Sequence, residues 1–217
     1  MSFNIKKYLI YFFWFAIVLS GPITILRNSN SLTFSDPIAL LNFFQRLFGM
    51  LAFSLLFMQI ILGSFLDFWL RVLGAKAYRL HTQQGLFSYA LILIHPIIFS
   101  LINLKIWGIL AFLASFLPGK DLFLNFGKMA FLFLTIGIAA AYFRTKPFFR
   151  RNFIKFHYLN YLAFFFVRIH AGGLGSDVKI FPFSFVFNLA PIAVSIIILY
   201  KHAFLNLKKN ISQTSIN

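Results

Sequence analysis

The chain has 217 residues, of which 60% are hydrophobic and 20% aromatic, with 33 Phe. Only 11% are charged, against about 25% in an ordinary soluble domain; a soluble fold of this length could not bury so much apolar surface, so the expected class is an all-α, integral membrane six-helix bundle. Its net charge of +16 would suggest nucleic acid in a soluble protein, but beside long apolar runs it reads as Lys and Arg at membrane-facing helix ends, and nucleic-acid binding is set aside.

Two absences narrow the chemistry. Without Cys there is no disulfide, thiolate nucleophile or covalent haem attachment. Without Glu the carboxylates are Asp36, Asp67, Asp121 and Asp177, too scattered in sequence for paired acid–base work or a hard-cation cage.

A spanning helix needs about 20 mostly apolar residues. Six runs qualify, at residues 8–26, 38–66, 78–104, 122–143, 152–171 and 183–205. The first follows Lys6 and Lys7, and lacks a clean cleavage pattern, so a retained helix is expected rather than a signal peptide. The second is longer than a bilayer requires and is expected to tilt or to extend beyond it. Residues 107–117 are apolar but too few to span, and Pro118–Gly119 ends them, so they read as an interfacial or re-entrant piece. No repeat, long linker or separate second domain is visible.

Orientation follows from the basic residues. With the N-terminus cytoplasmic, thirteen Lys and Arg fall inside and seven outside, the positive-inside bias. Both termini are then expected in the cytoplasm, with the protein in the cytoplasmic (inner) membrane. Helices three and five would run in the same direction.

Four of the five His lie on those two helices. His81 and His95 are near the ends of helix three, and His157 and His170 near the ends of helix five. Spacings of 14 and 13 residues give axial separations of roughly 21 and 20 Å. His81 and His157 share the inner level, and His95 and His170 the outer one. Neutral imidazole is a good axial ligand for haem iron, and facing His in a bundle core can hold one haem between them. Two layers would give two stacked haems and a path for electrons. The bland alternative is helix–helix hydrogen bonding. A 14-residue step falls about 40° short of four whole turns, so His81 and His95 share a face; a 13-residue step falls about 140° short, so His157 and His170 do not. Either helix five is distorted, or the two sites are offset sideways. His202 is read as an interfacial residue.

Other residues support this more weakly. Gly85, one turn after His81, either admits a haem or is a packing glycine. Arg46, near the outer end of helix two, needs an anionic partner if buried; an outer haem propionate is the first expectation, and snorkelling to the interface the second. Arg168 and Lys105 are further outer candidates for propionates. Arg79 and Lys155, each two residues before an inner His, are inner candidates, although positive-inside placement already explains them.

The segments HTQQGLFSYALILIHPIIFS at 81–100 and RRNFIKFHYLNYLAFFFVRIHAGG at 150–173 resemble the third and fifth helices of the ferric reductase-like transmembrane family. QRLFGMLAF, containing Arg46, resembles the outer end of that family's second helix. The resemblance covers roughly residues 40–175. It implies two b-type haems, His81–His157 inner and His95–His170 outer, with electrons passing outward to ferric iron, dioxygen or a partner reductase. Family members of the reductase and oxidase type usually continue into a flavin- and nicotinamide-binding region. No G-x-G-x-x-G motif is present here, so the expected donor is a separate flavoprotein reductase or quinol. Three alternatives stay open: a single-haem subunit serving an exported reductase, as in methionine sulfoxide reductase systems; a non-redox transporter or proton channel using its His as relays; and a membrane scaffold without chemistry.

Overall fold

A computed structural model describes the backbone of residues 3–214 and the side chains of Ile5 and residues 8–201; His202 lies outside the described side chains. The described chain is helical throughout, with nine α-helices and one 3-10 turn. They are α1 (Phe3–Arg27), α2 (Ser31–Ser35), α3 (Pro37–Ser64), α4 (Leu66–Leu73), α5 (Lys76–Trp107), α6 (Ile109–Ala114), α7 (Leu122–Tyr142), α8 (Pro147–Leu174) and α9 (Phe183–Thr214).

Local chemistry sets most boundaries. Asp36 caps α3 by accepting from the Ala39 amide at 2.7 Å, with Pro37 opening the first turn. Asp121 caps α7 through the Phe123 and Leu124 amides. Pro147 opens α8. Gly108, at φ 82°, ends α5 in a conformation that a side chain would strain. The second expected helix, at residues 38–66, is matched by α3 to within two residues; it breaks at Phe65 and the chain continues as α4. Residues 107–117 hold only the short α6, which buries none of its side chains. The little α2, capped by Asn30, has no counterpart in the apolar pattern because it is a single turn of mixed composition.

Among the described residues, five helices are long and apolar enough to cross a membrane: α1, α3, α5, α7 and α9. The chain is therefore read as an integral membrane protein. The fifth expected span, α8, is 28 residues long but falls outside that set. Its Arg150, Arg151, Lys155, His157, Asn160, Arg168 and His170 lower its hydropathy below that of the other five.

Helix α3 is the centre of the bundle; it packs against α1, α5, α8 and α9, and α7 pairs along α8. The core between α3, α8 and α9 is aromatic. Phe53 stacks on Phe164 at 5.3 Å and meets Phe187 at 5.1 Å, with Phe57 and Phe183 completing the cluster. In lipid, burying a Phe between helices gains little by the hydrophobic effect, because the alternative surroundings are equally apolar. Close packing and polar links must hold the helices together instead. Glycines allow the close approach: a Cβ on Gly21 would lie 2.9 Å from Met50 Cβ. Polar links cross the bundle at Gln84 Nε2 to the Leu55 carbonyl (3.1 Å), Tyr89 to Thr135 (3.0 Å) and Ser64 to Tyr161 (2.9 Å). Thr24 accepts from the Phe183 amide and ties α1 to the start of α9.

Candidate functional site

The four His of α5 and α8 come together as two pairs at two levels. His95 and His170 face each other with ring centroids 6.3 Å apart and planes at 89°. At the other level, His81 and His157 are near enough to interact electrostatically. All four rings are half-buried.

The His95–His170 pair is held from behind. His95 Nδ1 lies 2.8 Å from the Gln45 carbonyl of α3, and His170 Nδ1 lies 2.8 Å from the Phe123 carbonyl of α7. A carbonyl oxygen only accepts, so both Nδ1 atoms carry the proton and donate. Each Nε2 is then a free lone pair. This is the arrangement that second-shell partners give to metal-bound His: the tautomer is fixed and the ring orientation is set.

Glycines make room for these rings. A Cβ on Gly49 of α3 would lie 2.9 Å from His95 Cε1, and one on Gly127 of α7 would lie 2.7 Å from His170 Nδ1. At the other level, a Cβ on Gly63 would meet His81 Cε1 at 3.0 Å. Gly137 lies against the Asn160 amide, which in turn is 3.3 Å from His157 Nδ1. So each His has a glycine on an antiparallel neighbour, directly for three of them and through Asn160 for His157. Sequence reasoning missed this set. Its signal was present: Gly49 and Gly63 are 14 residues apart, the same interval as His81 and His95.

The second pair is less completely prepared. His81 Nδ1 is buried with no hydrogen-bond partner. Asn160 Nδ2 faces His157 Nδ1, and a half-turn of that amide would present Oδ1 to a protonated Nδ1 instead. Helix α8 runs unbroken from Pro147 to Leu174. No break in the helix absorbs the 13-residue step, which on a regular helix sets His157 and His170 on different faces.

The other candidate residues find different places. Arg46 has its anion within the protein: Nε and Nη2 reach Asp177 Oδ2 and Oδ1 at 2.5 and 2.6 Å, and Asn28 Nδ2 donates to the same carboxylate at 2.7 Å. Asp177 is 3% exposed, so Arg46 is committed to neutralising it, and the expectation of a propionate partner is replaced by an internal ion pair. Gly85 clears space for Gln59, whose amide would lie 2.8 Å from a Cβ there and donates to the His81 carbonyl at 2.6 Å. Arg79, Lys105 and Lys155 are exposed. Arg168 stacks on Phe187, facing away from the His pairs.

Among the described residues, no three His, Asp or Glu side chains converge on one point. A metal held only by protein ligands therefore has no site there, whereas haem iron needs just two axial ligands. Two imidazoles bound through nitrogen on opposite sides of one metal, at about 2 Å each, have ring centroids about 6 Å apart. His95 and His170 meet that spacing, and their free Nε2 atoms meet the donor requirement; the residues fit haem. Compared with known protein families, curated proteins and solved structures, the chain has no match.

Proposed function

We propose that the chain is a membrane-integral b-type cytochrome that moves electrons across the bilayer. The observation that carries this reading is the His95–His170 pair: 6.3 Å between centroids, with each Nδ1 donating to a backbone carbonyl on a neighbouring helix. With each Nδ1 proton donated to a carbonyl, each Nε2 is left as a lone pair available to a metal. Haem, when bound, supplies a one-electron Fe(III)/Fe(II) couple that no side chain here provides.

His95 and His170 would hold one haem, and His81 and His157 a second. Gln45 and Phe123 keep the first two imidazoles in the donating tautomer. Gly49, Gly63 and Gly127 keep the rings from being displaced by a neighbouring side chain. In this reading α8 is the sixth span, with His157, Asn160 and His170 turned toward cofactor and partner helices and the exposed Arg150, Arg151 and Lys155 near its cytoplasmic end. The basic excess orients both termini to the cytoplasm, which puts His95–His170 at the outer level. The donor is proposed to be a flavoprotein reductase or quinol, and the acceptor ferric iron, dioxygen or an exported reductase.

One observation favours a single-haem variant of the same reading. His81 Nδ1 has no partner, so the inner pair lacks the second-shell support of the outer one. Haem stoichiometry separates the two. Purified protein should carry two b-type haems per chain, falling to one in His95→Ala and in His81→Ala. One haem that survives His81→Ala supports the single-haem variant, and folded protein without haem overturns the proposal.

A further inference from the structure

On the other side of α8 from His170 lies a cavity of about 360 Å³, between α8, the Asp177–Lys179 turn and the first turns of α9. Arg168, Gly172, Lys179, Ser184, Phe187 and Asn188 contribute to its lining. We infer that this cavity is a binding site for a phosphate-type oxyanion, separate from the His pairs.

Arg168 is built into the wall. Its guanidinium carbon lies 3.8 Å from the Phe187 ring centroid, and Nη2 donates to Asn188 Oδ1 at 3.2 Å. Gly172 makes this pose available, since a Cβ there would meet Nη1 at 2.7 Å. Stacking and one hydrogen bond fix the plane of the group while using a single one of its five N–H donors. Nε is buried without a partner. Lys179 adds a second cation and Ser184 a hydroxyl.

No carboxylate lines the cavity. The neighbouring acid, Asp177, is already engaged by Arg46 and Asn28. Two cations thus face one cavity without a counter-ion. Donors come from three segments of chain: a planar guanidinium, a point-charge ammonium and a hydroxyl. That set suits a tetrahedral anion with several acceptor oxygens. Arg168 and His170 are two residues apart, about 200° around the helix, so a haem between His95 and His170 does not fill this space. The phosphate group could belong to an anionic lipid headgroup or to a soluble ligand.

The test uses full-length protein in detergent. Thermal unfolding is followed with inorganic phosphate at constant ionic strength, and lipid retention is measured by native mass spectrometry after exposure to phosphatidylglycerol vesicles. Stabilisation by phosphate identifies a soluble ligand class; retention of about one phosphatidylglycerol per chain, without a phosphate effect, identifies a lipid headgroup. In either case Arg168→Gln and Lys179→Gln should each weaken binding about tenfold or more, and the exposed Lys120→Gln should not. If Arg168→Gln does not fold, Lys179→Gln decides. Absence of both ligands from the wild type, or binding unchanged in the variants, overturns the inference.

Discussion

At Gly127 an added methyl would lie 2.7 Å from His170 Nδ1, whereas at Gly119 it would meet nothing within 4 Å. Gly127→Val should therefore push the imbalance onto His170, costing about 1–3 kcal/mol of stability as overpacking does and lowering haem content at that level. Gly119→Val should leave haem content unchanged, and a haem titration of both variants checks the contrast. Arg46 makes a second prediction. Arg46→Gln leaves Asp177 buried with only Asn28 beside it. Breaking a fully buried pair costs about 3–5 kcal/mol; Arg46 is 30% exposed, so a loss toward the low end of that range is expected. Adding Asp177→Asn should recover part of it, as measured by a double-mutant cycle in thermal unfolding. These residues also mark how far the sequence could be read. The His pattern was visible because two helices each carry two His at nearly equal spacing, 14 residues on α5 and 13 on α8. The partner of Arg46 was not, because Asp177 is 131 positions away in a short turn whose placement depends on how α8 and α9 pack. Gly85 could be read two ways from sequence, and the structure places the Gln59 amide against it.

The elements were legible where apolar length decides them. Five long apolar runs became five membrane-length helices, with ends moved by a few residues through caps at Asp36 and Asp121 and a stop at Gly108. α8 is different, because the residues proposed to give it a function also lower its hydropathy. The proposed sixth span makes a direct prediction. The chain has no Cys, so single cysteines report cleanly. A membrane-impermeant maleimide should label Thr145→Cys from the cytoplasmic side and Ser176→Cys from the opposite side. Labelling of both from one side would show that α8 does not cross. The glycine positions on α3 and α7 show what sequence reasoning passed over. Glycine in an apolar helix looks like generic close packing, and only the antiparallel pairing of α3 with α5 and of α7 with α8 reveals that it faces His.

Over the whole molecule, α3 acts as the spine on which the other helices place the two His levels. It contributes the Gln45 carbonyl and Gly49 at one level and Gly63 at the other. The aromatic cluster of Phe53, Phe57 and Phe164 fills the core of α3 and α8, with Phe164 lying between His157 and His170 along α8. Its rings pack without polar partners, consistent with a structural spacer that keeps water out of the low-dielectric region. The central claim is the proposal that His95 and His170 would hold one haem iron between them. The two rings stand at 89° with centroids 6.3 Å apart. Electron paramagnetic resonance of the oxidised, purified protein tests this most directly. A low-spin ferric haem signal that is lost or diminished in folded His170→Ala is the predicted result. Folded wild-type protein without a ferric haem signal, or the same signal persisting undiminished in His170→Ala, would contradict it.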